Sequence, residues 1–391
     1  MSALRTLIVV LLAIALPAGV AVALVEWTRG PDRVALADDP AAAATPGTGD
    51  VTATVGAGAH ARDWRELPPA PLDPRWGAFS VWTGEDLLVW GGYAWPSDAG
   101  EEGPRDDGAA FDGRQWAALP EGPLPPVMHH SGVAAWTGEE LLIAGGTGGD
   151  DGRTPLRAAA AYHPEDRTWR ELPRLPEPIA GGGWVGKRLI VIGAGNGDRR
   201  PVYALEPEAG RWRELDPLPL AAATADDAAD VHVQATDRHL LVVAQGEAWL
   251  FKPGDGWEQL PQPDDGVALD EIRGVARDGG ALVVVLPDDT YRYRPQRGRW
   301  SRVSDGLDVT QPMPLLNAGQ DDIVAVDLLG RGVRAMVDDG WVSGPDLPGE
   351  RVEATAAVAG DQIVVWGGMG SEQEGVPQGW TLPVAAASSA P

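Results

Sequence analysis

The chain of 391 residues contains no cysteine, and this absence removes several classes of chemistry at once. Disulfides, thiolate metal sites, cysteine nucleophiles and a lipid-modified N-terminal cysteine are all excluded. Histidine is sparse as well, with six copies in the whole sequence. Stability therefore has to come from packing rather than from covalent crosslinks.

Basic side chains are also few. The sequence has 31 Lys and Arg against 57 Asp and Glu, a formal net charge of −26, and Lys187 and Lys252 are its only lysines. A surface this acidic repels phosphate backbones, so nucleic acid is not an expected partner. Acidic charge alone selects no particular partner.

Familiar catalytic motifs are missing too. The sequence has no Gly-x-Ser-x-Gly elbow, no phosphate-binding loop and no His-Glu-x-x-His pair. These absences weaken the hydrolase, nucleotidase and metalloprotease interpretations.

The one long apolar run lies at the N-terminus, from Thr6 to Val25, and is interrupted by Pro17 and Gly19. As a cleaved signal peptide, residues 1–25 would offer the small residues Ala21-Val-Ala to the peptidase. As an uncleaved hydrophobic helix, the run just suffices to cross a bilayer and anchor the protein. Both interpretations predict an exported protein, either secreted or membrane-anchored on the extracytoplasmic side.

Two segments have compositions that cannot form a core. Residues 26–60 are largely Ala, Gly, Pro, Thr and Asp, and are predicted to form a flexible linker. Residues 384–391 form a shorter tail of the same kind, predicted to be disordered. The folded domain is therefore predicted to span residues 61–383.

Within this domain a tryptophan recurs at intervals of 52, 53, 43, 45, 43 and 41 residues. The recurring residues are Trp64, Trp116, Trp169, Trp212, Trp257, Trp300 and Trp341. A period of 40 to 50 residues indicates a repeat architecture in which no single unit buries its own apolar face. The rhythm therefore predicts the fold, but it does not identify a ligand.

Each repeat also contains a predicted β-hairpin. The clearest copies are Val81-Trp-Thr-Gly-Glu-Asp-Leu-Leu-Val-Trp-Gly-Gly92 and Ala135-Trp-Thr-Gly-Glu-Glu-Leu-Leu-Ile-Ala-Gly-Gly146. Thr-Gly-Glu suits the turn, and the apolar run after it suits a buried strand. Five weaker copies lie at Trp184–Gly195, Ala235–Gly246, Ala276–Leu286, Asn317–Leu328 and Val358–Gly368.

A third strand and a tryptophan-containing fourth strand follow the hairpins, as in Tyr162-His-Pro-Glu-Asp-Arg-Thr-Trp169. The last repeat has only Trp380 after its hairpin, in a segment that suits a third strand. Its missing fourth strand is predicted to be Asp63-Trp64-Arg65-Glu66-Leu67. A strand borrowed from the N-terminal side would close the ring and remove two free sheet edges.

These residues resemble the kelch repeat family, whose signature is a double glycine, an aromatic residue and then a tryptophan about six positions later. The match spans roughly 62–383, although repeats four to six lack the double glycine. The resemblance is to an exported, bacterial-type member with a domain like the central domain of galactose oxidase. It implies an all-β, seven-bladed β-propeller with four antiparallel strands per blade.

Galactose oxidase is the best-known enzyme of this kind, and its copper site relies on a tyrosine crosslinked to cysteine. Because the sequence has no cysteine, the copper chemistry of galactose oxidase cannot be carried over. No cofactor is predicted, and a non-enzymatic role is favoured over catalysis.

In kelch-type rings, ligand sites usually lie on the face formed by the loops between strands two and three and between blades. Alignment on the double glycine places Arg75, His129 and Arg351 at equivalent positions near this face. The complete candidate set for ligand binding is Arg75, Trp76, Tyr93, Trp95, His129, His130, Arg273, Arg351 and Glu353. Arg is suited to carboxylate or sulfate groups and Trp to a sugar face. The alternative interpretation is that these Arg and His side chains only pair with nearby carboxylates, and that the long loop Tyr93–Gly108, which contains Tyr93 and Trp95, is a solvated insertion.

No metal site is predicted. His129 and His130 are adjacent, and neighbouring residues of a regular strand point to opposite sides, so both bind one ion only from an irregular segment. The sequence favours a monomeric ring that binds or scaffolds a protein or glycan. The alternatives are a carbohydrate-active enzyme of mutarotase or lyase type, working at Arg75, His129, Arg351 and Glu353, and a sensor ectodomain.

Overall fold

The computed structural model describes residues 64–95, 102–195, 198–221, 231–263, 267, 269, 271–307, 309, 313–317, 323–330, 332–372 and 374–384. These residues form β-strands and contain no α-helix, only one 3-10 turn at Pro207–Ala209. The predicted export segment (1–25) and linker (26–60) lie outside the described residues, as does all of the predicted tail except Val384. Among the described residues, no helix has the length and apolar character needed to span a bilayer.

The strands in the first half of the chain are β1 (Arg65–Glu66), β2 (Arg75–Trp76), β3 (Phe79–Trp82), β4 (Leu87–Trp90), β5 (Tyr93–Ala94), β6 (Gly103–Pro104), β7 (Gly108–Phe111), β8 (Trp116–Ala118), β9 (Met128–Trp136), β10 (Leu141–Gly148), β11 (Thr154–Pro155), β12 (Ala159–His163), β13 (Thr168–Glu171), β14 (Ile179–Val185), β15 (Arg188–Gly193), β16 (Arg200–Glu206) and β17 (Arg211–Leu218). The strands in the second half are β18 (His232–Ala235), β19 (Leu240–Ala244), β20 (Glu247–Lys252), β21 (Gly256–Gln259), β22 (Gly274–Asp278), β23 (Ala281–Val285), β24 (Asp289–Arg294), β25 (Arg299–Asp305), β26 (Leu315–Asn317), β27 (Ile323–Asp327), β28 (Gly332–Val337), β29 (Gly340–Ser343), β30 (Thr355–Ala359), β31 (Gln362–Trp366) and β32 (Gly379–Pro383).

The main sheets are antiparallel and share one order, in which each strand pairs with the next main strand along the chain. The orders are β3-β4-β7-β8, β9-β10-β12-β13, β14-β15-β16-β17, β18-β19-β20-β21, β22-β23-β24-β25 and β26-β27-β28-β29. The first two strands of each sheet are the predicted hairpin, and the recurring tryptophan lies in or beside the fourth strand. This repeated arrangement is consistent with a β-propeller.

The last sheet takes its fourth strand from the beginning of the chain. Its order is β30-β31-β32-β1, with Arg65 opposite Thr381 and Glu66 opposite Trp380. The backbone N–H of Leu67 extends this pairing by donating to the carbonyl of Gly379 at 2.8 Å. The predicted pairing of the segment around Trp64 with the last repeat is therefore present.

The second strands form the most buried layer. Every residue of β4, β19, β23 and β27 is buried. Their side chains point to both faces of the sheet, and both faces pack against neighbouring sheets. In one such cluster, Leu142 and Ala161 pack with Leu189 and Val191 of the next sheet. The core therefore lies between consecutive sheets, which explains why the second strands are continuous apolar runs rather than alternating ones.

The double glycine permits close contact between sheets. Gly91 has φ 70°. A Cβ on this residue would lie 2.3 Å from the carbonyl oxygen of Val127, which directly precedes strand β9 of the next sheet. Only glycine fits this approach.

Candidate functional site

The histidine pair lies in an irregular part of strand β9. The pairing of β9 with β10 shifts register between Gly145 and Thr147, and Ser131 has a left-handed φ of 51°. This β-bulge breaks the alternation of side chains expected for a regular strand. As a result, both imidazoles reach the same carboxylate: Glu353 Oε2 lies 3.1 Å from His129 Nε2 and 3.3 Å from His130 Nε2.

Glu353 lies just before β30, the first strand of the last sheet, and is 224 residues after His129. Its own φ is 55°, a conformation that few non-glycine residues adopt. Gly77 connects the two segments, because its N–H donates to the Glu353 carbonyl at 3.0 Å and its carbonyl accepts from the His129 N–H at 2.8 Å. The backbone therefore holds the imidazoles and the carboxylate in one place.

The electrostatics of the cluster favour an ionised carboxylate. Surrounding protein opposes the charge and by itself raises the pKa of Glu353, although 41% of the side chain is exposed. Hydrogen bonds and charge from His129 and His130 outweigh this effect and hold the pKa of Glu353 well below its usual range. The histidine side chains are 41% and 40% exposed, so the cluster is open to solvent.

Aromatic rings border the cluster. The Trp76 ring lies 5.7 Å from the ring of His130 and 5.5 Å from that of Tyr93, and Tyr93 lies 5.9 Å from Trp95, all between centroids. The hydroxyl of Tyr93 donates to Glu102 Oε1 at 2.9 Å. Burial and this hydrogen bond raise the pKa of Tyr93 to about 12. The candidates Trp76, Tyr93 and Trp95 therefore form a continuous aromatic row beside the histidines.

Arg75 and Arg351 occupy different surroundings from the histidines. They are 1% and 3% exposed, and each donates from Nη1 to the first carbonyl of a double glycine, Gly91 at 3.3 Å and Gly367 at 3.2 Å respectively. Arg75 also pairs with Asp107. Burial lowers the pKa of Arg351 to about 10. These two guanidinium groups hold loops together.

The alignment on the double glycine does not carry over to His129. The carbonyl of Arg75 accepts from the N–H of Gly368, and the carbonyl of Val127 accepts in the same way from Gly92. Val127, not His129, therefore takes the position of Arg75 in the second sheet. The bulge in β9 adds two residues between Val127 and the continuously paired part of the strand, which explains why His129 is two residues away from the position that the alignment predicted. The alignment on the double glycine contains no indication of this bulge.

The guanidinium of Arg273 hydrogen-bonds to residues that flank the sheet β22-β23-β24-β25, not to the histidine cluster. Its Nε donates to the carbonyl of Val309 at 2.9 Å, and its Nη1 donates to the carbonyl of Glu271 at 3.0 Å. The candidates that the structure brings together are therefore Trp76, Tyr93, Trp95, His129, His130 and Glu353.

No protein-family profile and no curated protein sequence matches this chain. Its fold is similar to that of a fungal alcohol oxidase of the AA5 family, solved in complex with copper. The identity is 12% and the TM-score 0.62, over 83% of this chain and 77% of that one. The structure of YjhT covers 82% of this chain and 98% of its own, at 11% identity and a TM-score of 0.48. The likeness to the oxidase supports a fold of the galactose-oxidase and kelch type.

The residues of this chain differ from those that hold copper in galactose oxidase. A tyrosine-cysteine crosslink of the galactose-oxidase kind cannot form, because the chain has no cysteine. At the described cluster the donor atoms come from two imidazoles and one carboxylate. The residues of this chain therefore do not fit a copper-radical centre of that kind.

Proposed function

We propose that the sheets close into a seven-bladed ring that serves as an exported binding module. Contacts between the first strands support the ring: β3, β9, β14, β18, β22, β26 and β30 contact one another in succession, and β30 contacts β3. A cluster containing Val89 of the first sheet and Trp366 of the last supports it as well. Export rests on the apolar run Thr6–Val25, and N-terminal sequencing of protein from the native host tests it. A start near Leu24 indicates a cleaved signal, whereas an intact Met1 favours the alternative of a membrane-anchored sensor ectodomain.

The ligand we propose is a neutral saccharide bound beside the histidine pair. The observation that carries this proposal is the half-buried Trp76 ring next to the exposed side chains of His130 and Glu353, with half-buried Trp95 further along the same row and buried Tyr93 between the two tryptophans. Aromatic rings stack on the apolar face of a sugar, while imidazole and carboxylate bond to its hydroxyls. Arginine is suited to the carboxylate or sulfate groups of an acidic glycan, but Arg75 and Arg351 are buried and already hydrogen-bonded to backbone carbonyls.

Saturation-transfer-difference NMR with glucose, galactose, maltose and lactose tests this proposal. The Trp76→Ala variant should lose most of the signal from a bound sugar, because stacking on one ring contributes about 1–3 kcal/mol where it has been measured for bases. Trp82→Ala is the matched control, since Trp82 is also half-buried but lies at the end of the following strand, β3, which belongs to a different sheet from Trp76. The saccharide proposal is overturned if no sugar of the set binds, or if binding survives in Trp76→Ala.

A second candidate function is acid–base catalysis on the bound sugar, of mutarotase or lyase type. The observation that favours it is the pair of imidazoles sharing one carboxylate, since imidazole is the side chain most often used for general acid–base catalysis. Polarimetry of fresh α-glucose or α-galactose tests for mutarotase activity. A rate above that of His129→Ala supports catalysis, and equal rates contradict it.

A further inference from the structure

The histidine and glutamate side chains also have the chemistry of a metal site. Their ligand atoms all lie within 4.8 Å of one another. Zinc binds imidazole nitrogen at about 2.0–2.1 Å and carboxylate oxygen at about 2.0–2.2 Å, so tetrahedral ligand atoms are separated by about 3.3–3.5 Å. The observed separations from Glu353 Oε2 are 3.1 Å to His129 Nε2 and 3.3 Å to His130 Nε2. The carboxylate oxygen is therefore already within a few tenths of an ångström of the tetrahedral separation from each imidazole nitrogen, and the two nitrogens lie within 4.8 Å of each other.

We propose that His129, His130 and Glu353 bind one zinc ion. Two imidazoles and a carboxylate suit a divalent metal of intermediate softness. Three protein ligands leave at least one coordination position for water or a ligand atom, which is the arrangement of zinc sites that act on substrates. The half-exposed side chains make that position accessible from solvent.

The backbone prepares this site before any ion arrives. The bulge at Ser131 places adjacent histidines on one side, and the left-handed φ of Glu353 accompanies a carboxylate that faces them. Hydrogen bonds through Gly77 fix the two segments relative to one another. A site with this geometry loses little freedom when zinc binds, since the ligand positions are already constrained.

The charge of the protein acts in the same direction. A net charge of −26 attracts divalent cations to the surface and raises their local concentration. Nonspecific attraction of this kind involves carboxylates in general, whereas the proposed site depends on two imidazoles. Variants of the histidines therefore separate the site from the general effect.

The test is a zinc titration by isothermal calorimetry on tag-free, chelator-treated protein. We expect one zinc ion per chain, with affinity weakened more than about 100-fold in His129→Ala, His130→Ala and Glu353→Gln, since changes that merely disturb ligand orientation already cost about 10–100-fold. His163→Ala is the matched control, because His163 is also partly exposed and contacts a carboxylate, that of Asp166, at 3.4 Å. The His163→Ala variant should bind zinc with the same affinity as the wild-type protein.

Cobalt provides a second measurement that does not depend on heat changes. Co²⁺ in the site should give visible absorption bands of a low-coordinate imidazole complex, and both histidine variants should lose them. Unchanged melting temperatures in the variants would show that the loss is not unfolding. Wild-type binding no tighter than that of the His129→Ala, His130→Ala double variant would overturn the proposal, and would mean that the His–Glu hydrogen bonds are the whole of the cluster's role. That result would leave the saccharide proposal standing, because Trp76→Ala tests it in metal-free protein.

Discussion

The indole Nε1 of Trp64 donates a hydrogen bond to the carbonyl of Pro345, which lies 281 residues further along the chain. The same contact links neighbouring repeats elsewhere: Trp169 donates to Pro120 at 3.1 Å and Trp300 to Pro261 at 2.7 Å. In each case the acceptor proline follows the preceding repeat's tryptophan by four residues. Trp64 therefore makes the same contact with the sixth repeat that Trp169 and Trp300 make with the repeats before them, as expected for a residue of the last sheet.

Removal of this strand should destabilise the whole domain. A chain that begins at Pro68 lacks β1, loses the indole bond to Pro345 and leaves β32 as an unpaired sheet edge. We expect a lower melting temperature and a greater tendency to aggregate than for a chain that begins at Arg62, measured by calorimetry and light scattering. Equal melting temperatures for the two chains would contradict ring closure by this strand.

The buried arginines should prove to be stability residues. Replacing Arg75 or Arg351 by Met removes donors from buried carbonyls, and we expect the free energy of unfolding to fall by about 3 kcal/mol in urea denaturation. Arg188→Met is the control, because the pair of Arg188 with Glu206 is exposed and contributes less than about 1 kcal/mol. A loss of sugar binding without a loss of stability in Arg75→Met would contradict this assignment.

The repeat pattern could be predicted from sequence because it depends on periodic properties. Apolar runs, turn residues and recurring tryptophans indicate burial and strand pairing directly, so the hairpin at Ala135–Gly146 and the pairing of the Trp64 segment with the last repeat could both be predicted. The histidine cluster could not be predicted, because it depends on a local irregularity of the backbone. A bulge at Ser131 and a left-handed Glu353 reverse the side-chain directions that regular geometry predicts, and neither conformation has a marker in the sequence.

The contact between Tyr93 and Glu102 should be visible in a spectroscopic titration. Burial and the hydrogen bond raise the pKa of Tyr93 to about 12, so its phenolate should appear well above the ordinary pKa of about 10. A group whose pKa is raised in the folded state adds stability below the unfolded pKa and loses it as the pH rises through the folded pKa. The Tyr93 contribution should therefore disappear between about pH 10 and pH 12.

Phenolate absorbance measures this effect, since the chain has only five tyrosines. Tyr93→Phe should remove one late-titrating group, while Glu102→Gln should bring it closer to the ordinary range. Tyr203→Phe serves as the control, because Tyr203 bonds to Glu177 at 3.1 Å and also has its pKa raised to about 12. If Glu102→Gln leaves the titration of Tyr93 unchanged, the contact is not formed in solution.

Gly77 should be needed for the geometry of the histidine cluster as well as for its own conformation. Its φ is 66°, and a Cβ there would lie 3.0 Å from Met128 Cε and 3.8 Å from His129 Cδ2. Gly210 provides a matched control, with φ 60° and no described atom within 4 Å of its added Cβ. Gly210→Ala should cost about 1–2 kcal/mol of unfolding free energy from the left-handed backbone alone. Gly77→Ala should cost at least as much and should also move the cluster, so that the imidazole NMR signals of His129 and His130 shift in this variant and not in Gly210→Ala. Identical imidazole signals in the two variants would show that Gly77 does not position the histidines.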